Sequence, residues 1–261
     1  MGLAYTAAVV RQVIPRPPSA RRIDPPVGPD MADPCLDLSM AAVREAFSAQ
    51  ADPSSRDPVD DAGSAAAVLI VLLPGESAGA GERDTGSSSV VLIRRAGHLR
   101  ASPGEIAFPG GRIERGESAL AAALREAREE VSLPAGAVEV LGELPVVHAS
   151  SRFVPVLPFV AAASWLPDLQ ACPDEVDCVL VVPLRELVAQ GRYWQEQWAV
   201  REDPDWVMHF FDLGEDLIWG ASARILYELF CRLSSRGSGG RTGALPAGRT
   251  RSASPPTTAA S

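Results

Sequence analysis

The segment from Ser118 to Val131 constrains the fold most, because it predicts a helix with two dissimilar faces. Four apolar side chains form one stripe suited to packing against a sheet: Leu120, Leu124, Ala127 and Val131. On another side, Glu126, Glu129 and Glu130 lie within an arc of about 100°. Like charges this close repel one another unless something neutralises them. A hard divalent cation is one neutraliser, and helical ion pairs such as Arg125 with Glu129 are the alternative.

The remainder of residues 65–233 alternates strand and helix patterns. Runs rich in β-branched and apolar residues predict strands over 65–73, 89–94, 138–144, 153–160 and 176–182. A strand pair follows, 198–200 with 206–211, around a turn at 203–205, and a closing helix is predicted over 216–233. This order of elements predicts a mixed α/β fold.

The two ends of the chain differ in composition from this core. Residues 1–34 are rich in Pro and Arg and predict a disordered leader, with Met31 as an alternative start of translation. Residues 35–64 predict a helix over 36–50 followed by an acidic linker. Residues 234–261 are Gly, Ser, Pro, Thr and Arg with few large apolar side chains, and they predict a disordered tail.

Charge and cysteine usage exclude several classes of protein. Residues 31–231 hold 15 arginines against 31 acidic residues, a net charge of −16, which argues against a nucleic-acid-binding surface. The longest apolar run, 65–73, is half of the roughly 18 residues that cross a membrane. The four cysteines lack the spacing of a zinc site or a disulfide framework. We therefore expect a cytoplasmic protein with reduced thiols and without nucleic-acid or membrane partners; the oligomeric state stays open.

The spacing of charged residues around the central helix narrows the function. Six residues carry the pattern: Gly111, Glu117, Arg125, Glu126, Glu129 and Glu130. This pattern resembles the Nudix box, the signature of hydrolases that act on a nucleoside diphosphate linked to another group. The resemblance implies an α/β/α sandwich with a mixed central β-sheet over residues 65–233. Ser132 stands where the family has Gly, at a helix end where positive φ is common, and we expect it to cost about 1 kcal/mol.

A second, narrower motif lies just upstream, in residues 91–111, VLIRRAGHLRASPGEIAFPGG. It resembles the signature of the coenzyme A diphosphatase branch through nine residues: Leu92, Arg95, Ala96, Arg100, Gly104, Phe108, Pro109, Gly110 and Gly111. The resemblance implies that Arg95, Arg100, Gly104 and Phe108 bind substrate. Coenzyme A carries a 3′-phosphate besides its pyrophosphate, and arginine suits such groups. The alternative is that both arginines form ion pairs with Glu105 or Glu114.

By this resemblance, Glu126, Glu129 and Glu130 hold Mg²⁺ or Mn²⁺ together with a backbone carbonyl of Gly110 or Gly111. Arg125 then orients the acidic face, and Glu117 braces it. The general base is one of the three glutamates or a later carboxylate, Asp174 or Glu175. The implied substrate is a small molecule, coenzyme A or a derivative, cleaved to 3′,5′-ADP and 4′-phosphopantetheine.

Two alternatives to this activity remain open. One is a Nudix hydrolase of another substrate, such as a dinucleoside polyphosphate, ADP-ribose or an oxidised nucleotide, and the other is a catalytically silent nucleotide sensor. His98, His148 and His209 share no metal-ligand spacing, so we expect structural or surface roles for them.

Overall fold

The computed structural model describes residues 12, 14–50, 65–75, 86–134, 136–149, 154–165, 167–200 and 203–235. Four helices are assigned there: α1 (Met40–Phe47), α2 (Ala119–Val131), α3 (Leu184–Leu187) and α4 (Gly220–Ser234). The strands of the same residues are β1 (Arg21–Ile23), β2 (Ala66–Leu73), β3 (Ser89–Arg95), β4 (Ile106–Ala107), β5 (Gly110–Arg112), β6 (Val138–Glu143), β7 (Val147–Ala149), β8 (Val154–Ala163), β9 (Val176–Pro183), β10 (Tyr193–Val200), β11 (Asp203–Asp212) and β12 (Leu217–Trp219).

Eight strands form a mixed sheet, as the sequence predicted. Its main path runs β4-β3-β2-β8-β6, with β9 paired to β3, β5 to β2 and β7 to β8. Strands β2 and β8 are parallel, with Ala66 opposite Val156 and Leu72 opposite Ala162. The other pairs are antiparallel. The strands predicted over 65–73 and 89–94 are present as β2 and β3, which pair with Leu73 opposite Ser89.

Helices cover both faces of this sheet and complete an α/β/α sandwich. Ala127 and Val131 of α2 are fully buried on one face, in a cluster that includes Leu69 of β2. On the opposite face, α1 and α4 share a core with Ile70 and Leu72. Successive side chains of a strand point to opposite faces, so β2 supplies both cores from one apolar run.

A smaller antiparallel sheet, β1-β10-β11-β12, leads into α4. Trp198, Met208 and Phe210 are buried in it, and further aromatic side chains pack against them. Arg94 of β3 forms an ion pair with Asp216, next to β12, at 2.5 Å. This pair joins the two sheets close to the end of β3.

Residues 14–34 pack against the smaller sheet, which differs from the disorder predicted for the leader. Arg22 of β1 lies opposite Glu196 of β10. The Val27 amide donates to the Gln195 side chain, whose amide donates back to the Val27 carbonyl, at 2.8 and 2.7 Å. Met31 is buried. Prolines forbid a regular helix here, but a three-residue strand fits between them. The partners of this strand lie about 170 residues further along the chain, so a local sequence pattern cannot reveal the pairing.

Other predicted boundaries shift by a few residues. The N-terminal helix is shorter than 36–50 and begins after Ser39, whose side chain accepts the Ala42 amide at 3.2 Å. The β10–β11 hairpin begins at Tyr193, earlier than predicted, because buried Gln195 and Glu196 break the apolar pattern. The predicted linker 51–64, the tail 236–261 and most of residues 1–13 lie outside the described residues.

Candidate functional site

Helix α2 is fixed at both ends by serine residues. Its N-cap, Ser118, accepts the Ala121 amide at 3.2 Å. At the C-terminal end, Ser132 has φ 54° and ψ 33°, and its amide donates to the Ala127 carbonyl. The left-handed conformation predicted at Ser132 is therefore present. Both caps fix where the acidic side of the helix points.

Three carboxylates from two elements meet beside α2. Oxygen atoms of Glu126, Glu130 and Glu175 all lie within 4.8 Å of one another. Glu126 and Glu130 are one helical turn apart, whereas Glu175 comes from the turn before β9. The cluster therefore depends on the tertiary fold as well as on the helix.

Glu130 is the buried member, with 1% of its surface exposed. Its Oε2 accepts the Gly110 amide at 2.9 Å, and its Oε1 lies 3.9 Å from Nη1 of Arg95. Burial raises the pKa of Glu130 to about 7, against the opposing effects of the Gly110 hydrogen bond and the Arg95 charge. Burial also raises the pKa of Glu126. Two acids held together in a poorly hydrated place lack a sufficient counter-charge.

Two glycines allow strand β5 to approach this cluster. A Cβ on Gly111 would lie 2.4 Å from Oε1 of Glu126. Gly110 has φ +155°, and a Cβ there would lie 2.4 Å from the Ala67 carbonyl oxygen of β2. The chain thus keeps its backbone next to the carboxylates by leaving out both side chains.

Arg125 links residues that precede α2 to the glutamates of the helix. Its guanidinium donates to both oxygens of Glu117, at 2.9 and 3.1 Å, and to the Arg112 carbonyl at 3.1 Å. Its Nη1 donates to Glu126 at 2.9 Å and to Glu129 at 3.2 Å. These bonds raise the pKa of Arg125 and lower that of Glu117, first through the Arg125–Glu117 bond itself.

Glu129 lies apart from the other two helix glutamates. Half of its side chain is exposed, at 52%, and it bonds to Arg125. Among the described residues, the acidic cluster takes Glu175 as its third member instead. Asp174, the other later candidate, is exposed, and its backbone carbonyl contacts the His98 ring. A helical wheel could not have shown that Glu175 is the third member of the cluster, because Glu175 reaches it from the turn before β9.

The residues of the upstream motif occupy different places. Arg95 lies at the cluster, where its ion pair is with Glu130 and not with the predicted alternative partners, Glu105 and Glu114. Arg100 is exposed on the following loop, and Gly104 ends that loop with φ +69°. Phe108, which the resemblance assigned to substrate binding, is 2% exposed and belongs to the core shared by α1 and α4.

The donor set fits a divalent metal ion. Carboxylate oxygens are the ligands that Mg²⁺ and Mn²⁺ prefer, and two of the three acids lie on one helix turn. A Cβ on Gly111 would collide with Glu126, so the backbone of β5 passes next to the same carboxylates. A cation here would add to the positive charge that Arg125 and Arg95 place beside Glu126 and Glu130.

A cavity of about 500 Å³ lies elsewhere, between β7, β11 and α4. None of the clustered carboxylates lines it. His209 borders it and is 2% exposed; its Nδ1 lies 2.8 Å from the Tyr193 hydroxyl. Burial, with the Arg224 charge nearby, lowers the pKa of His209 to about 3. His209 is therefore a neutral structural histidine, as expected.

No helix among the described residues is long and apolar enough to span a membrane.

Comparisons with known proteins agree with this geometry. Residues 65–203 match the model of the NUDIX domain. A protein of Enterobacter sp. (strain 638), named Uncharacterized Nudix hydrolase NudL, is 36% identical over 179 residues, which cover 66% of this chain and 83% of that protein. Its namesake in Salmonella newport (strain SL254) is 39% identical over 146 residues, covering 54% and 72%.

Solved structures give weaker similarities. A MutT/nudix family protein from Enterococcus faecalis is 20% identical, with a TM-score of 0.44 and coverage of 76% of this chain and 75% of that one. A Nudix hydrolase of M. smegmatis, RenU, is 23% identical, with a TM-score of 0.38 and coverage of 46% and 70%.

Proposed function

This chain belongs to the Nudix family, and we propose that it hydrolyses the pyrophosphate bond of coenzyme A or its derivatives. At the coarser level it is a Nudix hydrolase of a nucleoside diphosphate derivative. The products of the proposed reaction are 3′,5′-ADP and 4′-phosphopantetheine, acylated if the substrate is an acyl derivative. The single observation that carries hydrolysis is the cluster of Glu126, Glu130 and Glu175 oxygens within 4.8 Å.

The preference for coenzyme A rests on the motif in residues 91–111 and on where its arginines lie. Arg95 is next to the buried carboxylate Glu130, within reach of a pyrophosphate bound there. Arg100 is exposed on the adjoining loop, free of the acidic cluster. One substrate with two separate phosphate groups would engage both arginines, each of which can bind a phosphate bidentately.

Divalent metal ions serve Nudix hydrolases generally, and we propose Mg²⁺ or Mn²⁺ held by Glu126 and Glu130 with a backbone carbonyl of Gly110 or Gly111. Bound there, the ion supplies positive charge that offsets the charge of the pyrophosphate. Glu129 stays a candidate ligand, although its carboxylate now bonds to Arg125. Arg125 and Glu117 hold the Glu126 carboxylate in place through the bonds described above.

Glu175 is our candidate for the general base. Its carboxylate faces Glu126 and Glu130 but is exposed to solvent, so an oxygen of Glu175 can accept the proton of the attacking water and release it. The water oxygen bonds to one phosphorus, the bridging P–O bond breaks, and the bridging oxygen leaves with the other phosphate.

The free thiols are consistent with action in the cytoplasm.

The test is incubation of the purified chain and Mg²⁺ or Mn²⁺ with coenzyme A, ADP-ribose, diadenosine polyphosphates and 8-oxo-dGTP, with products identified by mass. We expect 3′,5′-ADP and phosphopantetheine from the fastest reaction. Faster cleavage of another substrate would overturn the coenzyme A assignment but keep the acidic cluster. No cleavage of any substrate would favour a nucleotide sensor.

A further inference from the structure

Residues 14–31 pack against the smaller sheet, and Gln12 contacts the loop that follows β3. We call residue 12 and residues 14–31 the strap, and residues 95–104 the substrate loop. At one end of the strap, Gln12 Nε2 donates to the Gly104 carbonyl at 3.0 Å. At the other end, Met31 is buried in the core under α1 and α4.

The middle of the strap is fixed to β10 by a buried carboxylate. Glu196 accepts two bonds from Nε of Arg16, at 3.0 and 3.1 Å. It also accepts the indole N–H groups of Trp194 and Trp198, at 3.1 and 2.9 Å. The Arg16 guanidinium lies 5.1 Å from the ring centre of Phe210. With β1 and the Val27–Gln195 pair, these bonds give the strap a defined path over the sheet.

The substrate loop is held at its ends. On the side of the metal cluster, the Ala96 amide donates to the Glu175 carbonyl at 2.9 Å. Where the loop ends, the Gly104 amide donates to the Arg95 carbonyl at 3.1 Å, and the Arg95 amide donates to the Glu105 carbonyl at 3.0 Å. The Gly104 carbonyl is the group that bonds to Gln12. The loop therefore joins the element that carries Glu175 to the strap.

We propose that the strap is a specificity element and that Gln12 is a positioning residue, which holds the substrate loop so that Arg100 receives the 3′-phosphate of coenzyme A. This inference rests on the proposed function. Arg95 is already placed at the acidic cluster by β3, and the strap holds the closing end of the loop, four residues after Arg100. Gln12 acts through Gly104 and touches no substrate.

Two substrates that differ only in the 3′-phosphate test the inference: coenzyme A and 3′-dephospho-coenzyme A. One neutral hydrogen bond supports roughly a fivefold effect, so Gln12→Ala should raise the KM for coenzyme A about fivefold. The KM for 3′-dephospho-coenzyme A should stay unchanged, because that substrate has no group for Arg100. The reference variant Arg100→Ala should remove the same discrimination more completely.

A matched control variant lies on the same strap. Arg21 donates to Gln197 on the exposed side of β1, at 2.9 Å, and does not reach the substrate loop. Arg21→Ala should leave both KM values as in the wild type. A purely structural role of the strap would make Arg21→Ala and Gln12→Ala behave alike on both substrates.

Hydrogen exchange gives a readout that needs no activity. The amides of Leu99, Gly104 and Glu105 are hydrogen-bonded within the substrate loop. In Gln12→Ala their exchange should accelerate at least about threefold, whereas the amides of α2 keep the wild-type rate.

Failure of this inference is distinct from failure of the proposed function. If Arg100→Ala loses the discrimination but Gln12→Ala keeps it, the strap proposal is overturned and coenzyme A hydrolysis stands. If coenzyme A is not hydrolysed at all, the exchange measurement decides: unchanged loop amides in Gln12→Ala overturn the strap proposal, and accelerated ones support its positioning role.

Discussion

Gly111 and Glu126 lie so close that a Cβ on the glycine would be 2.4 Å from Oε1 of the glutamate. The obstructing atoms are the flexible end of a side chain, so Gly111→Ala should fold. It should, however, displace the Glu126 carboxylate from Glu130 and Glu175. We expect Mn²⁺ affinity to fall at least about tenfold, measured by calorimetry, and hydrolysis to fall with it.

A control for the loss of a loop glycine is Gly116→Asn. Gly116 has φ +78°, which Asn tolerates, and no atom lies within 4 Å of a Cβ there. This variant should keep the wild-type Mn²⁺ affinity. Equal affinity in Gly111→Ala and wild type would contradict the placement of the metal at Glu126.

The two neighbouring glutamates of α2 should differ in importance. Glu130→Gln removes the buried charge, and we expect turnover to fall by at least about 10²-fold. The fold should persist, because an amide is cheaper to bury than a carboxylate. Glu129→Gln, at a half-exposed position bonded to Arg125, should lower turnover less than about tenfold. Steady-state assays with thermal melts of both variants distinguish this order from equal roles.

Ser132 costs stability through its backbone. A non-glycine residue at φ 54° is strained by roughly 1–2 kcal/mol, and part of the gain from glycine is offset by a more flexible unfolded chain. Ser132→Gly should therefore raise the free energy of unfolding by about 0.5–1 kcal/mol in urea titrations, with unchanged turnover. Ser235, which ends α4 in a right-handed conformation, provides the opposite case: Ser235→Gly should give no gain.

The sequence predicted the central sandwich because its strands and α2 carry strong local patterns. The run at 66–73 is apolar throughout, and α2 shows its helical stripe and its cap in adjacent residues. The ion pair of Arg125 with Glu129 follows from their i, i+4 spacing on the helix.

The sequence did not reveal contacts between residues that lie far apart in the chain. That Glu175 completes the cluster of Glu126 and Glu130 depends on the turn before β9, 45 residues away from Glu130 in the chain. The order of the strap was not predicted for the same reason. Its prolines indicate disorder, whereas its short strand β1 pairs with distant residues in β10. Local propensity reports neither kind of contact.

Arg16 is expected to stabilise the chain although it lies in a segment that resembles a disordered leader. Arg16→Ala leaves the Glu196 carboxylate, 11% exposed, with only its two indole donors. Breaking a fully buried ion pair would cost more, but Arg16 is 43% exposed. We therefore expect Arg16→Ala to lower the free energy of unfolding by about 1–2 kcal/mol. Urea unfolding checks this value, with Arg21→Ala as the exposed control. A chain started at Met31 should lose more, since it also lacks β1 and uncovers the edge of β10.

His209 should make the folded protein sensitive to acid. Tyr193 of β10 accepts from Gln195 and so donates its proton to Nδ1 of His209, while Arg224 of α4 lies 3.5 Å from Nε2. The ring of Tyr227 also packs on the imidazole, and Glu228 and His148 line the same cavity. Only Arg224 adds to burial in lowering the pKa of His209.

The pKa of His209 is about 3 in the folded chain, and an unperturbed histidine has a pKa of 6.5, so between these values the unfolded chain binds the proton and the folded chain does not. Stability is therefore fully present above pH 6.5 and falls as the pH drops toward 3. At pH 5 this single group should remove about 2 kcal/mol. Urea titrations at pH 7 and pH 5 should show that loss in the wild type and in the exposed-site control His98→Gln, and a smaller loss in His209→Gln. An equal loss in His209→Gln would assign the acid sensitivity to other groups.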